Sequence, residues 1–148
     1  MSVITMRFLA AAAAAGPDKT VSGGTVMKWI DEAGYACATG WARRHCLTVY
    51  ASGVRFHRPI ATNHLVEVEA RLAYTGHTGM NIAVEVRSGD VKGGRMLKTT
   101  ECLMVFVAVD EEGQHMPVDA WRPGTPGEMA LARAVRVQLE SYRTPQFA

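Results

Sequence analysis

The chain has 148 residues, of which 48% are hydrophobic and 20% charged, the proportions of one ordinary globular domain whose core needs no disulfide staples. Sixteen Lys and Arg against fourteen Asp and Glu leave a net charge of +2, too little for counterion release to drive binding, which excludes DNA or RNA as the main partner. The three cysteines, Cys37, Cys46 and Cys102, are an odd number without metal-ligand spacing, a pattern that points to a reducing compartment and a cytoplasmic protein.

Ile4, Met6 and Phe8 alternate with Thr5 and Arg7, which predicts a first strand with its apolar side on the even positions. Six alanines at residues 10–15 follow. With Arg7 as the only nearby base and no cleavage context, they do not make a secretory signal. The run also falls far short of the ~20 apolar residues of a membrane-spanning helix before Gly16 and Pro17 end it. From Thr25 to Arg43 the only helix breakers are Gly34 and Gly40, so one long helix is expected. Val26, Ile30, Ala33, Cys37 and Trp41 form its buried stripe, and Lys28, Glu32 and Thr39 mark its wet side.

Beyond the helix the period becomes two. Leu47, Val49 and Ala51 set one apolar register and Val54 and Phe56 the opposite one, so a bulge near Ser52-Gly53 is expected to reconcile them. Val66, Val68, Ala70, Leu72 and Tyr74 give a strand with one dry face, and Met80, Ile82, Val84 and Val86 a second, joined by a short hairpin connection at 75–79. Met96 to Val109 is apolar on both sides at its centre, which marks 103–109 as the central, most buried strand. Residues 110–124 are rich in Asp, Glu, Gly and Pro and read as a tail crossing the surface. In the last segment Thr125 and Glu128 have capping-box spacing, Pro126 suits the first helical position, and Leu131, Val135, Leu139 and Tyr142 supply one apolar stripe. One long helix cannot cover both faces of a five-stranded antiparallel sheet, so either one face is wet or two sheets meet in an oligomer, and the oligomer is the favoured expectation.

Gly23-Gly24-Thr25-Val26-Met27-Lys28-Trp29-Ile30-Asp31-Glu32-Ala33-Gly34 resembles the glycine pair and helix of hotdog-fold acyl-CoA thioesterases, with an acid seven residues after the second glycine. Phe56-His57-Arg58-Pro59-Ile60 resembles the family's strand ending in Phe-x-x-Pro-Ile, Thr75-Gly76-His77-Thr78-Gly79-Met80 its Thr-Gly-x-Thr-Ser-Met turn, and Phe106-Val107-Ala108-Val109-Asp110 its last strand. The four segments occur in the family's order across residues 3–118. The resemblance implies an α+β hotdog fold, a long central helix wrapped by an antiparallel sheet of five or six strands. Residues 1–122 would be the hotdog domain and 123–148 a C-terminal helix and tail appended to it. It implies hydrolysis of acyl-CoA, with no metal or redox cofactor and coenzyme A only as part of substrate and product. It also implies homo-oligomers built from hotdog dimers, expected here as a hexamer, with the active site where one subunit's helix N-terminus faces residues of the partner.

Thioester hydrolysis needs an attacking water or carboxylate and donors aimed at the oxygen where negative charge collects. Gly23 and Gly24 let a thioester approach the backbone, and N–H groups around Gly24 and Thr25 at a helix start suit an oxyanion. By itself the glycine pair also fits a plain helix-starting turn. Asp31, on pattern alone, is a solvated charge beside Lys28; under the resemblance it is the general base, or a nucleophile forming an anhydride. Relatives carry His, Asn or Phe before the glycine pair, or an Asn several residues earlier, where this chain has Ser22 and Gly16-Pro17. Ser22 is a candidate helper for the water or thioester and equally a capping residue. The turn residues Thr75, Gly76, His77, Thr78 and Gly79, with Gly79 in place of the family's Ser, are expected to hold coenzyme A. Arg58, beside Pro59, is expected at its phosphates.

Histidines at 45, 57, 64, 77 and 115 and the three cysteines form no zinc-type spacing, so no metal site is expected. Cys37, on the apolar stripe, reads as packing. The Asp-x4-His arrangement of hotdog dehydratases fails at Ala36. Ser22 and Gly79 carry the alternative, a hotdog protein that binds acyl-CoA or a related ligand without hydrolysing it.

Overall fold

The computed structural model describes residues 2–11 and 15–142, with side chains of the last helix described as far as residue 138. Its elements follow one another as β1 (Val3–Leu9), α1 (Gly23–Ala42), β2 (Cys46–Phe56), β3 (Leu65–Thr75), β4 (Gly79–Gly89), β5 (Leu97–Ala108) and α2 (Pro126–Tyr142). The strands pair antiparallel in the order β1-β3-β4-β5-β2, and α1 lies across one face. This is the hotdog arrangement, with five strands.

Ser22 starts α1 as its N-cap, and Arg43 ends it in the left-handed conformation with φ 58°, its N–H returning to the Thr39 carbonyl at 2.8 Å. The expected stripe is the buried one: Val26, Ile30, Ala33 and Cys37 enter the core, with Trp41 packed at its margin. They meet Val66, Val68, Ala70 and Leu72 of β3 and Met80, Ile82, Val84 and Val86 of β4. Each large side chain so buried contributes about 1.5–3 kcal/mol. Gly34 is buried too, because the Phe106 ring passes close enough that a methyl group there would stand 2.9 Å from it. The missing side chain thus sets how closely helix and sheet approach.

Several expectations are corrected. β4 is the central strand, and β5 lies second from the edge. β5 reads as central because it is covered twice, by α1 on one face and by α2 on the other, where Leu103 meets Val135 and Leu131. A register shift between Leu72 and Tyr74 turns Tyr74 away from the dry face of β3 to the outer face, where the Arg136 guanidinium lies 5.9 Å from its ring centre. β2 carries the expected irregularity at 52–55, with Gly53 at φ +59°, and a second between Thr48 and Tyr50. With the shift after Thr48, Cys46 and Thr48 rather than Leu47 stand toward the helix, and Leu47 remains 43% exposed.

α2 docks on the outer face of its own sheet, so part of this face is covered within the chain. Its start is a reciprocal capping box: the Glu128 N–H donates to Thr125 Oγ1 and the Thr125 N–H to the Glu128 carboxylate, both at 3.1 Å. Leu131 and Val135 pack as expected; the side chains of Leu139 and Tyr142, and the alanines at 12–14, lie outside the described residues. Beside α2 the outer face carries ion pairs, in which Arg87 and then Arg7 hold the Glu67 carboxyl below its ordinary range. The sheet ends at two open edges, β1 and β2, and the candidate site lies along β2.

Candidate active site

Asp31 is exposed on the flank of α1 nearest β2. Its Oδ1 accepts a hydrogen bond from Thr48 Oγ1 at 2.8 Å, which anchors one carboxylate oxygen to the strand. Thr48 is absent from the sequence-based set. Alternation alone sends Leu47 inward and Thr48 outward, and only the shift after Thr48 reverses them. One turn further along α1 a second bridge joins the helix to the residue just before β2: the Tyr35 hydroxyl and His45 Nδ1 are 2.9 Å apart, with the rings edge to face at 5.8 Å.

The first N–H groups of a helix have no partner inside it. Here Thr25 donates its N–H to Ser22 Oγ at 3.2 Å, the Ser22 and Thr25 hydroxyls bond each other at 3.0 Å, and Val26 donates to the Ser22 carbonyl at 3.1 Å. Ser22 and Thr25 therefore spend their polar groups on the cap. Gly23 and Gly24 are exposed, and among the described residues their N–H groups meet no acceptor. Nothing lies within 4 Å of where a Cβ on Gly24 would stand, while the Phe56 ring approaches that of Gly23 to 3.6 Å. Two free donors at the positive end of a helix, on open surface, are a place for developing negative charge. Beside them runs a shallow groove of about 340 Å³ lined by Val21, Gly23, Phe56, Arg58, Pro59 and Thr100. Arg58 donates from Nε to the Lys98 carbonyl at 3.2 Å, so Ser22, Gly24, Thr25 and Arg58 gather at one end of α1.

Asp31 does not join them within one chain. It follows Gly24 by seven residues, on the same side of the helix but about 10 Å further along its axis. A single thioester carbonyl cannot reach both groups across that gap. The Thr75–Gly79 turn lies further still: Gly79 pairs with Val107 and Cys46 with Ala108, at the end of the sheet where α1 stops. Several of its groups are already engaged. Thr75 Oγ1 accepts from the Trp121 N–H at 2.9 Å, the Gly76 N–H donates to the Gly79 carbonyl at 2.9 Å, and the His77 carbonyl accepts from the Val118 N–H at 2.9 Å. The His77 ring is exposed. Cys37 is no nucleophile here, since burial pushes its thiol up to about 11.

The sequence pattern of the thioesterase superfamily matches residues 18–94, just over half of the chain and all of the segment from Ser22 to Gly79. The chain belongs to the thioesterase superfamily. Within this superfamily, acyl-CoA thioester hydrolase YciA of Escherichia coli is 33% identical over 114 residues, covering 75% of this chain and 86% of that protein. The YciA of Salmonella typhimurium is 32% identical over 118 residues, covering 78% and 89%. Among solved structures, an apo-hexameric acyl-CoA thioesterase superposes with a TM-score of 0.91 at 27% identity, over 97% of this chain and 92% of that one. A hexameric thioesterase of Yersinia pestis gives a TM-score of 0.73 at 30% identity, over 78% and 93%. Among the described residues of this thioesterase-superfamily chain, no helix is long and apolar enough to cross a membrane.

Proposed function

We propose that the protein is a cytoplasmic acyl-CoA hydrolase in which Asp31 is the general base and the Gly24 N–H an oxyanion donor. The observation that carries this reading is the Asp31–Thr48 hydrogen bond of 2.8 Å: an exposed carboxylate is held in one orientation on the helix face that begins with two unpaired glycine N–H groups. Asp31 takes a proton from water as the water oxygen attacks the thioester carbonyl carbon, and the N–H of Gly24 stabilises the resulting oxyanion. Collapse of the tetrahedral intermediate breaks the C–S bond. The leaving thiolate takes up the proton, giving free acid and coenzyme A without a metal or redox cofactor.

The gap of about 10 Å along the helix supports a reading in which the two roles fall to different subunits. β2 is an open edge with Leu47, Val54 and Phe56 exposed at 43%, 37% and 55%, a surface suited to a second copy. Antiparallel pairing along this edge continues the sheet and sets two α1 helices side by side in opposite directions, so that Asp31 of one faces the helix start of the other. The same two-fold symmetry carries the Thr75–Gly79 turn of one subunit toward the Arg58 end of its partner, where together they receive coenzyme A. The hexameric relatives support an assembly of three such dimers. The test is release of free thiol from short, long and aromatic acyl-CoAs. Turnover of at least one class is expected; coenzyme A binding with no turnover of any overturns the hydrolase reading.

A further inference from the structure

We infer that Tyr35 and His45 form a second polar station of the substrate channel, which holds a neutral hydrogen-bond acceptor of the pantetheine arm about one helical turn from the thioester carbonyl. The inference rests on the hydrolase reading of Asp31. Met27, Asp31 and Tyr35 stand at intervals of four along one side of α1, and this side is tied to the β2 segment twice, through Asp31–Thr48 and through Tyr35–His45. A substrate whose carbonyl lies at Asp31 therefore passes Tyr35 and His45 about 6 Å away along the helix axis.

In the antiparallel dimer Asp31 faces the partner's helix start, and the stretch of α1 beyond Asp31 runs past that start toward the partner's Arg58 groove. That is the side on which coenzyme A, rather than the acyl chain, leaves the reacting carbonyl. The pair is built to hold its shape. The His45 carbonyl accepts from the Val109 N–H at 3.0 Å, which fixes its backbone to the end of the sheet, and the Tyr35 hydroxyl fixes its ring. With Nδ1 engaged by Tyr35, Nε2 remains for a ligand. When the hydroxyl donates to Nδ1, Nε2 carries the hydrogen and becomes a donor.

The surroundings decide which acceptor fits. His45 shares a surface pocket of about 560 Å³ with Arg44, Val109, Asp110, Glu111 and Glu112. Three carboxylates against one guanidinium disfavour an anionic acyl tail and favour an uncharged amide carbonyl. Every acyl-CoA carries such amides in its pantetheine arm, so the station acts on substrate affinity in general rather than on selection of an acyl group.

The experiment measures dissociation constants of butyryl-CoA and succinyl-CoA by calorimetry on the Asp31→Asn protein, with and without Tyr35→Phe or His45→Gln. Tyr35→Phe removes one hydroxyl and keeps the ring, and a thermal melt matching that of the Asp31→Asn protein confirms the fold. Weakening of both ligands by about tenfold is the expected result. A loss confined to succinyl-CoA overturns the pantetheine assignment and moves the acceptor to the acyl group. No change for either ligand, or no binding of either by the Asp31→Asn protein, overturns the station itself. Because binding is read on a protein that does not need to turn over, failure of the hydrolase reading shows separately, as an unaltered protein that releases no thiol.

Discussion

Replacing Asp31 with asparagine is expected to lower kcat for acyl-CoA hydrolysis by about 10²–10⁴-fold, the usual contribution of a general base, with little change in affinity for coenzyme A. The substitution keeps the shape of the side chain and an oxygen that can accept from Thr48, so the bridge to β2 and the fold persist. What it removes is the basic oxygen that takes the proton of the attacking water. An interaction that exists only as the bond forms affects kcat rather than ground-state binding. Steady-state thiol release and calorimetric titration with coenzyme A read the two quantities separately. Equal losses in both would mean that Asp31 serves the ligand site as a structural charge.

A loss of about 10²–10³-fold is expected for Gly24→Pro, the size typical of deleting one oxyanion donor. Proline removes the N–H, yet it sits in the first turn of a helix, where that group has no intrahelical partner to lose. Gly23, lacking a Cβ, relieves the side-chain part of the clash that a proline imposes on the residue before it. Gly24→Ala is the matched control. No atom of its own chain comes within 4 Å of a Cβ placed there, so the methyl group meets no clash within the subunit and the donor is retained, and activity close to that of the unaltered protein is expected. Loss of activity in the alanine variant as well would assign Gly24 to close substrate contact through its missing side chain.

Helix α1 and its buried stripe are readable from sequence because a 3.6-residue period sustained from Val26 to Trp41 admits one solution. The capping box of α2 is equally plain, since Thr125, Pro126 and Glu128 each carry a position-specific backbone role. The faces of β2 and β3 resist such reading for one physical reason. An inserted residue has no compositional mark, yet it sends every later side chain to the other face. The shifts after Thr48 and Leu72 thus conceal the partner of Asp31 and misplace Tyr74. Asp31 itself reads as an ordinary solvated charge until the Gly-Gly-x6-Asp resemblance is set beside it. Ser22 illustrates the converse: its hydroxyl is engaged in the cap, the role that its type and position suggest without any family at all.

Co-expression of Asp31→Asn with Gly24→Pro tests the shared site most directly, by thiol release from the mixed population. In a mixed dimer one site combines both defects, while the other combines an intact Asp31 from one subunit with an intact helix start from its partner. Random pairing then restores about a quarter of the activity of the unaltered protein, although each variant alone is nearly inactive. A mixture no more active than its separate components would contradict the two-subunit site and return both roles to a single chain.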